Sequence, residues 1–333
     1  MFARLDASEI PIRKAKLIIQ IPCFNEEATL GLTLDNLPKA VPGVDKVETL
    51  IIDDGSTDNT IAVARERGVD HIIVLPRHQG LAKAFTAGLE ASLRAGADII
   101  VNTDADNQYC ADDIPKLVAP ILQGTAEIVV GARPIGETEH FSPTKRSLQK
   151  LGSWVVRLAS RTDIPDAPSG FRAISRKAAM QLHVFNEYTY TLETIIQAGQ
   201  KSMAITSVPV RTNPYSRPSR LFKDIPTYLH RQVSTIVRIF MTYRPFRFFA
   251  VPGIFLFITG FAISLRFLYF YFTAGGGGQV QSLILAALLM GAGFFLFVVG
   301  LVADLIGVNR NLLERLDWKL QEIEEKLSDK ESR

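Results

Sequence analysis

Residues 101–108 read Val101-Asn102-Thr103-Asp104-Ala105-Asp106-Asn107-Gln108, and they follow an apolar run that predicts a strand over residues 97–101. Residues i and i+2 of an extended chain project to the same side, so Asp104 and Asp106 are placed to share one cation. Mg²⁺ in proteins typically takes one or two carboxylates together with substrate phosphates. The stretch therefore predicts a site for a metal-bridged nucleotide diphosphate.

Apolar, β-rich segments alternate with helical patterns on both sides of this stretch. Strands are predicted over residues 17–21, 47–52, 71–75, 97–101 and 127–130, and helices over residues 26–37, 57–67, 81–95 and 113–122. Strands this uniformly apolar are covered on both faces, which indicates an α/β fold with a doubly wound, mostly parallel sheet. Ligands of such sheets bind beyond the carboxyl ends of the strands, where the polar motifs fall.

The pattern loosens after Arg133. A helix is predicted over residues 145–160, a Pro-containing turn over residues 163–170 and a strand over residues 202–210. An arginine-containing polar loop follows. Residues 221–247 then mix apolar and basic side chains as helices in a membrane interface do.

Two C-terminal segments, residues 248–272 and 280–306, are apolar over lengths that can span a hydrocarbon core of about 30 Å. Basic residues precede the first segment and follow the second, whereas the linker between them carries no charge. By the positive-inside rule both large ends are cytoplasmic. The N-terminus also lacks the continuous apolar region of a secretory signal, so we expect a multi-pass membrane protein whose N-terminal domain faces the cytoplasm.

The net charge argues against nucleic acid as a partner, and the cysteine spacing argues against a cysteine metal site. The net charge of +3 is too small to indicate nucleic acid as a partner, and the basic residues near the membrane favour anionic headgroups or a phosphate-bearing lipid. The two cysteines, Cys23 and Cys110, lack a metal-ligand spacing.

The C-terminal tail carries a short heptad pattern. Leu313, Leu316, Leu320, Ile323 and Leu327 alternate spacings of three and four. Two heptads make a weak coiled coil, so self-association into a homo-oligomer is left open.

Three polar motifs in combination resemble the inverting glycosyltransferases of family 2, whose fold is called GT-A. They are Asn25-Glu26-Glu27 after the first strand, Asp53-Asp54-Gly55-Ser56-Thr57-Asp58 after the second, and Asp104-Ala105-Asp106-Asn107-Gln108 after the fourth. More narrowly, Gly131-Ala132-Arg133, Arg146, Ser169-Gly170-Phe171-Arg172 and the C-terminal spans resemble the polyprenyl-phosphate glycosyltransferases, such as the dolichyl-phosphate mannose and glucose synthases.

The resemblance implies transfer of a sugar, with inversion, from a UDP- or GDP-sugar to a polyprenyl phosphate, either undecaprenyl or dolichyl. The chain would divide into a cytoplasmic catalytic domain (residues 1–220), interfacial helices (221–247), two transmembrane helices (248–306) and a cytoplasmic C-terminal helix (307–333). Neither the sugar nor the nucleotide is identified by these residues.

On the donor side, the resemblance implies that Asp53 contacts the base or ribose, with Pro22, Asn25, Glu26 and Glu27 beside it. Helix capping is the competing interpretation, because Asp and Ser are preferred N-caps and carboxylates favour helix starts. We expect that plainer role for Asp58.

The metal is expected to be Mg²⁺ or Mn²⁺, held by Asp104 and Asp106 against the diphosphate of the donor. The resemblance adds Gln108 as a further ligand or support. The metal would neutralise charge on the departing nucleoside diphosphate.

On the acceptor side, Arg133, Arg146, Arg217 and Arg220 are candidates to hold a phosphate at the bilayer surface, since arginine binds phosphate in a bidentate manner. Pairing with anionic lipid headgroups is the alternative, and for Arg217 and Arg220 the two interpretations are equally open.

The motifs leave open whether the site uses a general base. Many members of the resembled family place an aspartate in the stretch that here reads Asp166 to Arg172, but the position before Phe171 is Gly170. Asp166 is then a nearby candidate. A phosphate monoester has a second pKa of about 6 and is largely a dianion at neutral pH, so a base can be unnecessary. Orientation and charge screening by Arg133 and Arg146 would then carry the catalysis.

Other functions fit the sequence less well. A processive polysaccharide synthase of the same fold usually carries a Gln-x-x-Arg-Trp motif, and neither Trp154 nor Trp318 lies in one. The glycine-rich signature of a sugar-1-phosphate nucleotidylyltransferase is missing. A non-catalytic membrane assembly protein is disfavoured because Asp53, Asp104 and Asp106 are all present.

Overall fold

The computed structural model describes residues 15–134, 162–182, 190–213, 243–274 and 280–331, together with residues 157, 160, 184, 234, 237, 238 and 241. The chain divides into two compact units, Met1–Leu221 and Phe222–Arg333.

Seven strands form one sheet in the first unit, in the order β3-β2-β1-β4-β6-β5-β7. Their bounds are β1 Lys16–Cys23, β2 Lys46–Asp53, β3 His71–Val74, β4 Ile99–Asn102, β5 Ile128–Ala132, β6 Arg172–Ser175 and β7 Ile205–Pro209. Strands β1 to β4 pair in parallel, as do β5 and β7, whereas β6 runs antiparallel between β4 and β5. The prediction of an α/β fold with a mostly parallel sheet is confirmed.

Helices cover both faces of this sheet. Their bounds are α1 Glu27–Asp35, α2 Thr60–Glu66, α3 Leu81–Arg94, α4 Ile114–Leu122, α5 Arg176–Ala179 and α6 Thr191–Gln200. Alternate strand residues such as Leu17, Ile19 and Val101 join one buried cluster with α1 and α4. Phe85 of α3 lies fully buried on the opposite face. Each such side chain contributes about 1.5–3 kcal/mol by leaving water.

The sequence missed three elements of the first unit, β6, α5 and α6. Strand β6 has four residues and begins with Arg172, so neither its length nor its composition indicates a buried strand. Strand β4 begins at Ile99, two residues later than predicted, and extends to Asn102, one residue beyond the predicted end. Strand β7, Ile205–Pro209, lies within the predicted range of residues 202–210. The helix predicted over residues 145–160 lies outside the described residues except for Arg157 and Ser160, which are both helical.

The described part of the second unit contains two long helices, α7 (Pro245–Ala274) and α8 (Val280–Glu331). Within them, Pro245–Thr273 and Val280–Arg310 are long and apolar enough to cross a membrane. Glycines let the two helices approach closely, since a Cβ at Gly253 would lie 2.8 Å from the Gly293 carbonyl oxygen. The tail expected as a separate helix continues α8 without a break.

Apolar side chains of the tail are exposed in the described residues: Leu313, Leu316, Leu320 and Ile323. Self-association through this row stays a prediction. Most of the segment predicted as interfacial helices, residues 221–247, lies outside the described residues.

A buried carboxylate joins three strands at the amino end of the sheet. Glu48 of β2 is 5% exposed and pairs with Lys16 Nζ at 2.7 Å and Lys46 Nζ at 2.6 Å. His71 Nε2 lies 2.7 Å from the same carboxylate. Burial raises the pKa of Glu48, but the hydrogen bonds from Lys16, Lys46 and His71 outweigh it and lower the pKa to about 2.

Glu48→Gln is expected to lower the free energy of unfolding by about 1–3 kcal/mol at pH 7, because it removes the charge from these hydrogen bonds. The pKa is lowered from 4.5 to about 2 on folding, so this stabilisation is present above pH 4.5 and is lost as the pH falls through 2. Urea unfolding of the detergent-solubilised protein at pH 7 and pH 3 would measure it. Glu90→Gln, in an exposed pair with Arg94, is the control and should change little. A destabilisation by Glu48→Gln that is as large at pH 3 as at pH 7 would contradict this assignment.

Candidate active site

Polar side chains fasten the loop after β1 to the loop after β2. The backbone N–H groups of Asn25, Glu26 and Glu27 donate, at 2.8–3.1 Å, to the side chains of Ser56, Thr60 and Asp58. In return, the side chains of Asn25 and Glu27 accept from the backbone N–H groups of Thr57 and Asn59. Asn25 and Glu27, predicted as nucleotide contacts, therefore hold the two loops together in this structure.

The expected capping role of Asp58 agrees with its contacts. Its Oδ1 accepts from the backbone N–H of Thr60 at 3.0 Å, at the start of α2, and its Oδ2 accepts from Glu27 at the start of α1. Asp54 plays a different part, since it accepts from the backbone N–H groups of Gln79 and Gly80 at 2.8 Å. It therefore ties down the loop before α3.

Asp53 has a carboxylate oxygen that lacks a partner. It is the last residue of β2 and is fully buried, beside Cys23 of β1, which follows the predicted contact Pro22. Its Oδ2 accepts from the backbone N–H of Ser56 at 3.1 Å, whereas its Oδ1 is buried with no hydrogen bond. A buried acceptor left unsatisfied costs about 1–3 kcal/mol, so a ligand N–H or O–H group would relieve that cost.

Beside Asp53, two aromatic rings are stacked at the carboxyl end of β1. Phe24, which is 36% exposed, and His78 have ring centroids 3.9 Å apart and an interplanar angle of 25°. His78 Nδ1 lies 2.8 Å from Asp54 Oδ2, which fixes the ring. An exposed flat ring next to an unpartnered acceptor suits a heterocyclic base. Sequence reasoning gave Phe24 no role, although its position after an apolar strand was a signal.

Asp104 and Asp106 lie in a turn beyond β4, rather than on an extended strand as expected. The turn is held by hydrogen bonds from Thr103 N–H to the Gln20 carbonyl oxygen and from Gln108 N–H to Asp106 Oδ1. Burial raises the pKa of Asp104 to about 7, and the Asp106 carboxylate adds to the rise while Arg133 opposes it. The two carboxylates are therefore close enough to interact, and a bound cation would relieve their repulsion.

The donor set suits a hard divalent cation that arrives with a phosphate ligand. Asp104, Asp106 and Gln108 are all partly exposed and offer only oxygen and amide groups. Within the part of the chain that the structure describes, no three His, Cys, Asp or Glu side chains form a metal cage. Two carboxylates without a cage leave coordination positions for diphosphate oxygens and water.

Arg133 is held in place by Asp166. The Arg133 side chain donates to Asp166 Oδ2 from Nε at 2.7 Å and to Asp166 Oδ1 from Nη2 at 3.0 Å, and its backbone N–H donates as well. Asp166 is fully buried, whereas 21% of the Arg133 side chain is exposed. This bidentate pairing occupies the carboxylate and argues against Asp166 as the general base.

Arg172 has a structural role. It is fully buried, and its guanidinium donates to the carbonyl oxygens of Ser169 and Ala167 and to Thr194 Oγ1. These contacts hold the turn before β6 against α6.

The segment after β7 is fastened to the residues that follow Asp106. Asn213 N–H donates to the Gln108 carbonyl oxygen at 2.8 Å, and its Nδ2 donates to the Asn107 carbonyl oxygen at 2.9 Å. Arg211 makes a two-pronged pair with buried Asp113, which holds the same segment. Asn213, the last described residue of this segment, therefore lies beside residues 103–108, which we call the carboxylate turn. Arg146, Arg217 and Arg220 lie outside the described residues.

The sequence of this chain is similar to those of known proteins. Residues 18–182 match the glycosyl transferase family 2 domain. A UDP-N-acetylglucosamine–dolichyl-phosphate N-acetylglucosaminyltransferase of Methanococcus voltae is 31% identical over 217 residues, which cover 58% of this chain and 83% of that protein. The chain belongs to glycosyl transferase family 2. An undecaprenyl-phosphate mannosyltransferase of Micrococcus luteus is 27% identical to this glycosyltransferase over 205 residues, which cover 59% of the chain and 82% of the relative.

Solved structures agree with the GT-A fold of this glycosyltransferase. Glucosyl-3-phosphoglycerate synthase from Mycobacterium tuberculosis, crystallised with Mn²⁺, UDP and glucosyl-3-phosphoglycerate, has a TM-score of 0.54 at 19% identity and covers 69% of this chain and 80% of its own. At that identity the likeness bears on the fold. The GT-A fold expected from the motifs is confirmed.

Asp53→Asn is expected to weaken nucleotide binding about tenfold or more, because hydrogen bonds to charged groups contribute about 1.5–3 kcal/mol. Isothermal titration of the full-length protein with UDP and with GDP would measure it. Asp70→Asn is the matched control, since it removes the same charge from an exposed residue just before β3, at the amino end of the strands. Equal affinities of both variants and the wild type would rule out this contact.

Proposed function

We propose that this family 2 glycosyltransferase moves a sugar, with inversion, from a UDP- or GDP-sugar to a polyprenyl phosphate at the membrane surface. The observation that carries the proposal is the combination, in one chain, of the family 2 site and two helices long enough to cross a membrane. The relatives named for dolichyl-phosphate and undecaprenyl-phosphate transfer support the same acceptor class.

The donor nucleotide would bind across the carboxyl ends of β1, β2 and β4. Asp53 Oδ1 would accept from the base or ribose, and the exposed Phe24 ring would lie against the base. Glu26 lies in the loop fastened to the same edge. Since the loops are already joined, the site is formed before the ligand arrives, which lowers the entropic cost of binding.

The diphosphate would meet Asp104 and Asp106, with Gln108 beside them. Bound there, Mg²⁺ or Mn²⁺ would neutralise the charge that builds on the departing nucleoside diphosphate. The fit rests on the oxygen donors and on the repulsion between the two carboxylates. Burial is the larger cause of the raised pKa of Asp104, and the Asp106 charge raises it further.

Arg133 would orient the acceptor phosphate. Asp166 fixes its guanidinium, and the exposed part of the side chain can still donate to a ligand. Arg146, Arg217 and Arg220 are proposed to complete the phosphate site, the last two because their segment starts at Asn213, beside the carboxylate turn. A phosphate dianion needs no base to attack, so orientation and charge screening would suffice.

For the whole chain we propose the topology predicted from charge. The catalytic domain, residues 1–220, and both termini would be cytoplasmic, with residues 221–247 in the interface, the two spans within residues 248–306, and residues 307–333 returning to the cytoplasm. The catalytic domain would then lie on the same side of the membrane as a lipid phosphate of the cytoplasmic leaflet.

The direct test incubates purified protein with Mn²⁺, undecaprenyl or dolichyl phosphate and a panel of radiolabelled UDP- and GDP-sugars, and counts label in the organic phase. Asp104→Ala is expected to lower transfer by about 100-fold or more, since it removes a carboxylate from the charge-stabilising site. Asp112→Ala, which removes the same charge from a 79% exposed side chain, should retain activity.

The proposal would be supported, and the sugar identified, if one donor gives organic-phase label with the wild type and with Asp112→Ala but not with Asp104→Ala. Label in a water-insoluble polymer would indicate a polysaccharide synthase instead. Failure of both nucleotide binding and transfer would favour a non-catalytic assembly protein.

Asp166→Asn is expected to lower kcat by loosening Arg133 while leaving the shape of the pH–rate profile unchanged. Loss of a general base would instead remove the acidic limb of that profile. Rates measured from pH 5 to pH 9 with the identified donor would distinguish the two roles, and disappearance of the limb would assign Asp166 as the base.

A further inference from the structure

Gly170 lies directly against the Asp104 carboxylate. A Cβ built at this glycine would stand 3.0 Å and 3.2 Å from Asp104 Oδ1 and Oδ2, and 3.1 Å from the Tyr190 hydroxyl oxygen. These distances are shorter than ordinary van der Waals contacts. The φ of Gly170 lies outside the left-handed region, so the position needs glycine for its space and not for its backbone conformation.

The sheet register explains why these two residues meet. Strands β4 and β6 are antiparallel, and their final pair joins Asn102 to Arg172. Continuing the same register by two residues would place position 104 opposite position 170. The carboxylate turn and the turn before β6 are therefore opposed by the pairing of the strands, and neither can shift independently of the sheet.

Hydrogen bonds clamp the Gly170 peptide on both sides. Its N–H donates to the Tyr109 hydroxyl at 3.1 Å, and its carbonyl oxygen accepts from Asn102 Nδ2 at 2.9 Å. Tyr109 is 4% exposed and stacks on Phe171 with centroids 5.0 Å apart. The backbone of Gly170 is thus held firmly, and an added side chain has no room to move away from Asp104.

Asn102 anchors this clamp to the core. Both of its amide hydrogens are used, one on Gly170 and one on the Tyr190 hydroxyl at 2.8 Å, and its Oδ1 accepts from Gln20 Nε2 at 2.9 Å. The Tyr190 ring stacks on Phe85 at 3.7 Å with an interplanar angle of 5°, and both rings are fully buried. All three polar groups of the Asn102 amide are therefore paired, and a movement of this side chain would leave a buried polar group without a partner.

We propose that Gly170 is a positioning residue for the cation site: its bare Cα and its clamped peptide fix the Asp104 carboxylate in the orientation that binds the divalent cation. The inference rests on the proposed function, since it takes Asp104 as a metal ligand. The same contact excludes a side-chain base at position 170, because any such side chain must start from a Cβ in the space beside Asp104.

Gly170→Ala is the test, with Gly131→Ala as the matched control. A Cβ at Gly131 would stand 3.0 Å from Val210 Cγ1 and 3.1 Å from both the ring and the carbonyl oxygen of Phe171, so the crowding is similar but does not fall on Asp104. Binding of Mn²⁺ to the full-length protein with UDP or GDP is measured by the electron paramagnetic resonance signal of free Mn²⁺. Gly170→Ala is expected to weaken Mn²⁺ binding about 10–100-fold, as loss of groups that orient metal ligands does. Gly131→Ala should bind within about threefold of wild type.

Tyr190→Phe provides a second variant that keeps the buried ring and removes only the hydroxyl. It should weaken Mn²⁺ binding while melting within a few degrees of the wild type, because Asn102 loses one acceptor of its network.

Wild-type affinity in both Gly170→Ala and Tyr190→Phe would overturn the inference, as would equal losses in Gly170→Ala and Gly131→Ala, which would indicate general loosening of the fold. A wild-type protein that binds Mn²⁺ with neither nucleotide would overturn the proposed metal site itself. The two failures are therefore distinguishable.

Discussion

The antiparallel strand β6 is the constraint on which the site depends. Four residues, Arg172–Ser175, insert between β4 and β5 and force the preceding turn back to the carboxyl end of β4. A sheet made only of parallel strands would leave one face of the carboxylate turn open. Here that face is closed by Gly170, while Arg172 is stabilised by carbonyl groups of its own turn. A strand of only four residues, three of them fully buried, thus positions the groups of the site.

Most polar side chains near the site form hydrogen bonds to other groups of the protein. Asn25, Glu27 and Asp58 join two loops, and Asp166 holds Arg133. Their hydrogen bonds each add about 0.5–1.5 kcal/mol, and more where a charge is involved. The result is a preorganised edge in which Asp53 Oδ1 is one of three buried side-chain atoms without a hydrogen-bond partner among the described residues, the others being Gln20 Oε1 and Ser92 Oγ.

Much of the fold could be predicted because apolar strands with polar ends specify a parallel sheet. The apolar helix α7 and the Asp104-Ala105-Asp106 motif could also be predicted from the sequence. Strand β6 could not be found, since its role depends on pairing with two distant strands and its first residue is Arg172. The buried amides of Gln20 and Asn102 were a usable signal, because polar residues inside apolar strands must find partners. Contacts such as Gly170 with Asp104 require three-dimensional register, which periodicity does not contain.

The strand order also has a consequence for synthesis on the ribosome. Strand β5 lies in the sheet between β6 and β7, and both follow it along the chain. Translation proceeds at about 5–20 residues per second, so β5 spends seconds with both of its backbone edges unpaired. The first four strands can pair during that interval. The sheet is complete only after β7, which ends at Pro209, has emerged from the ribosome. Helix α7 begins at Pro245, so the last strand of the sheet is synthesised before the first apolar helix.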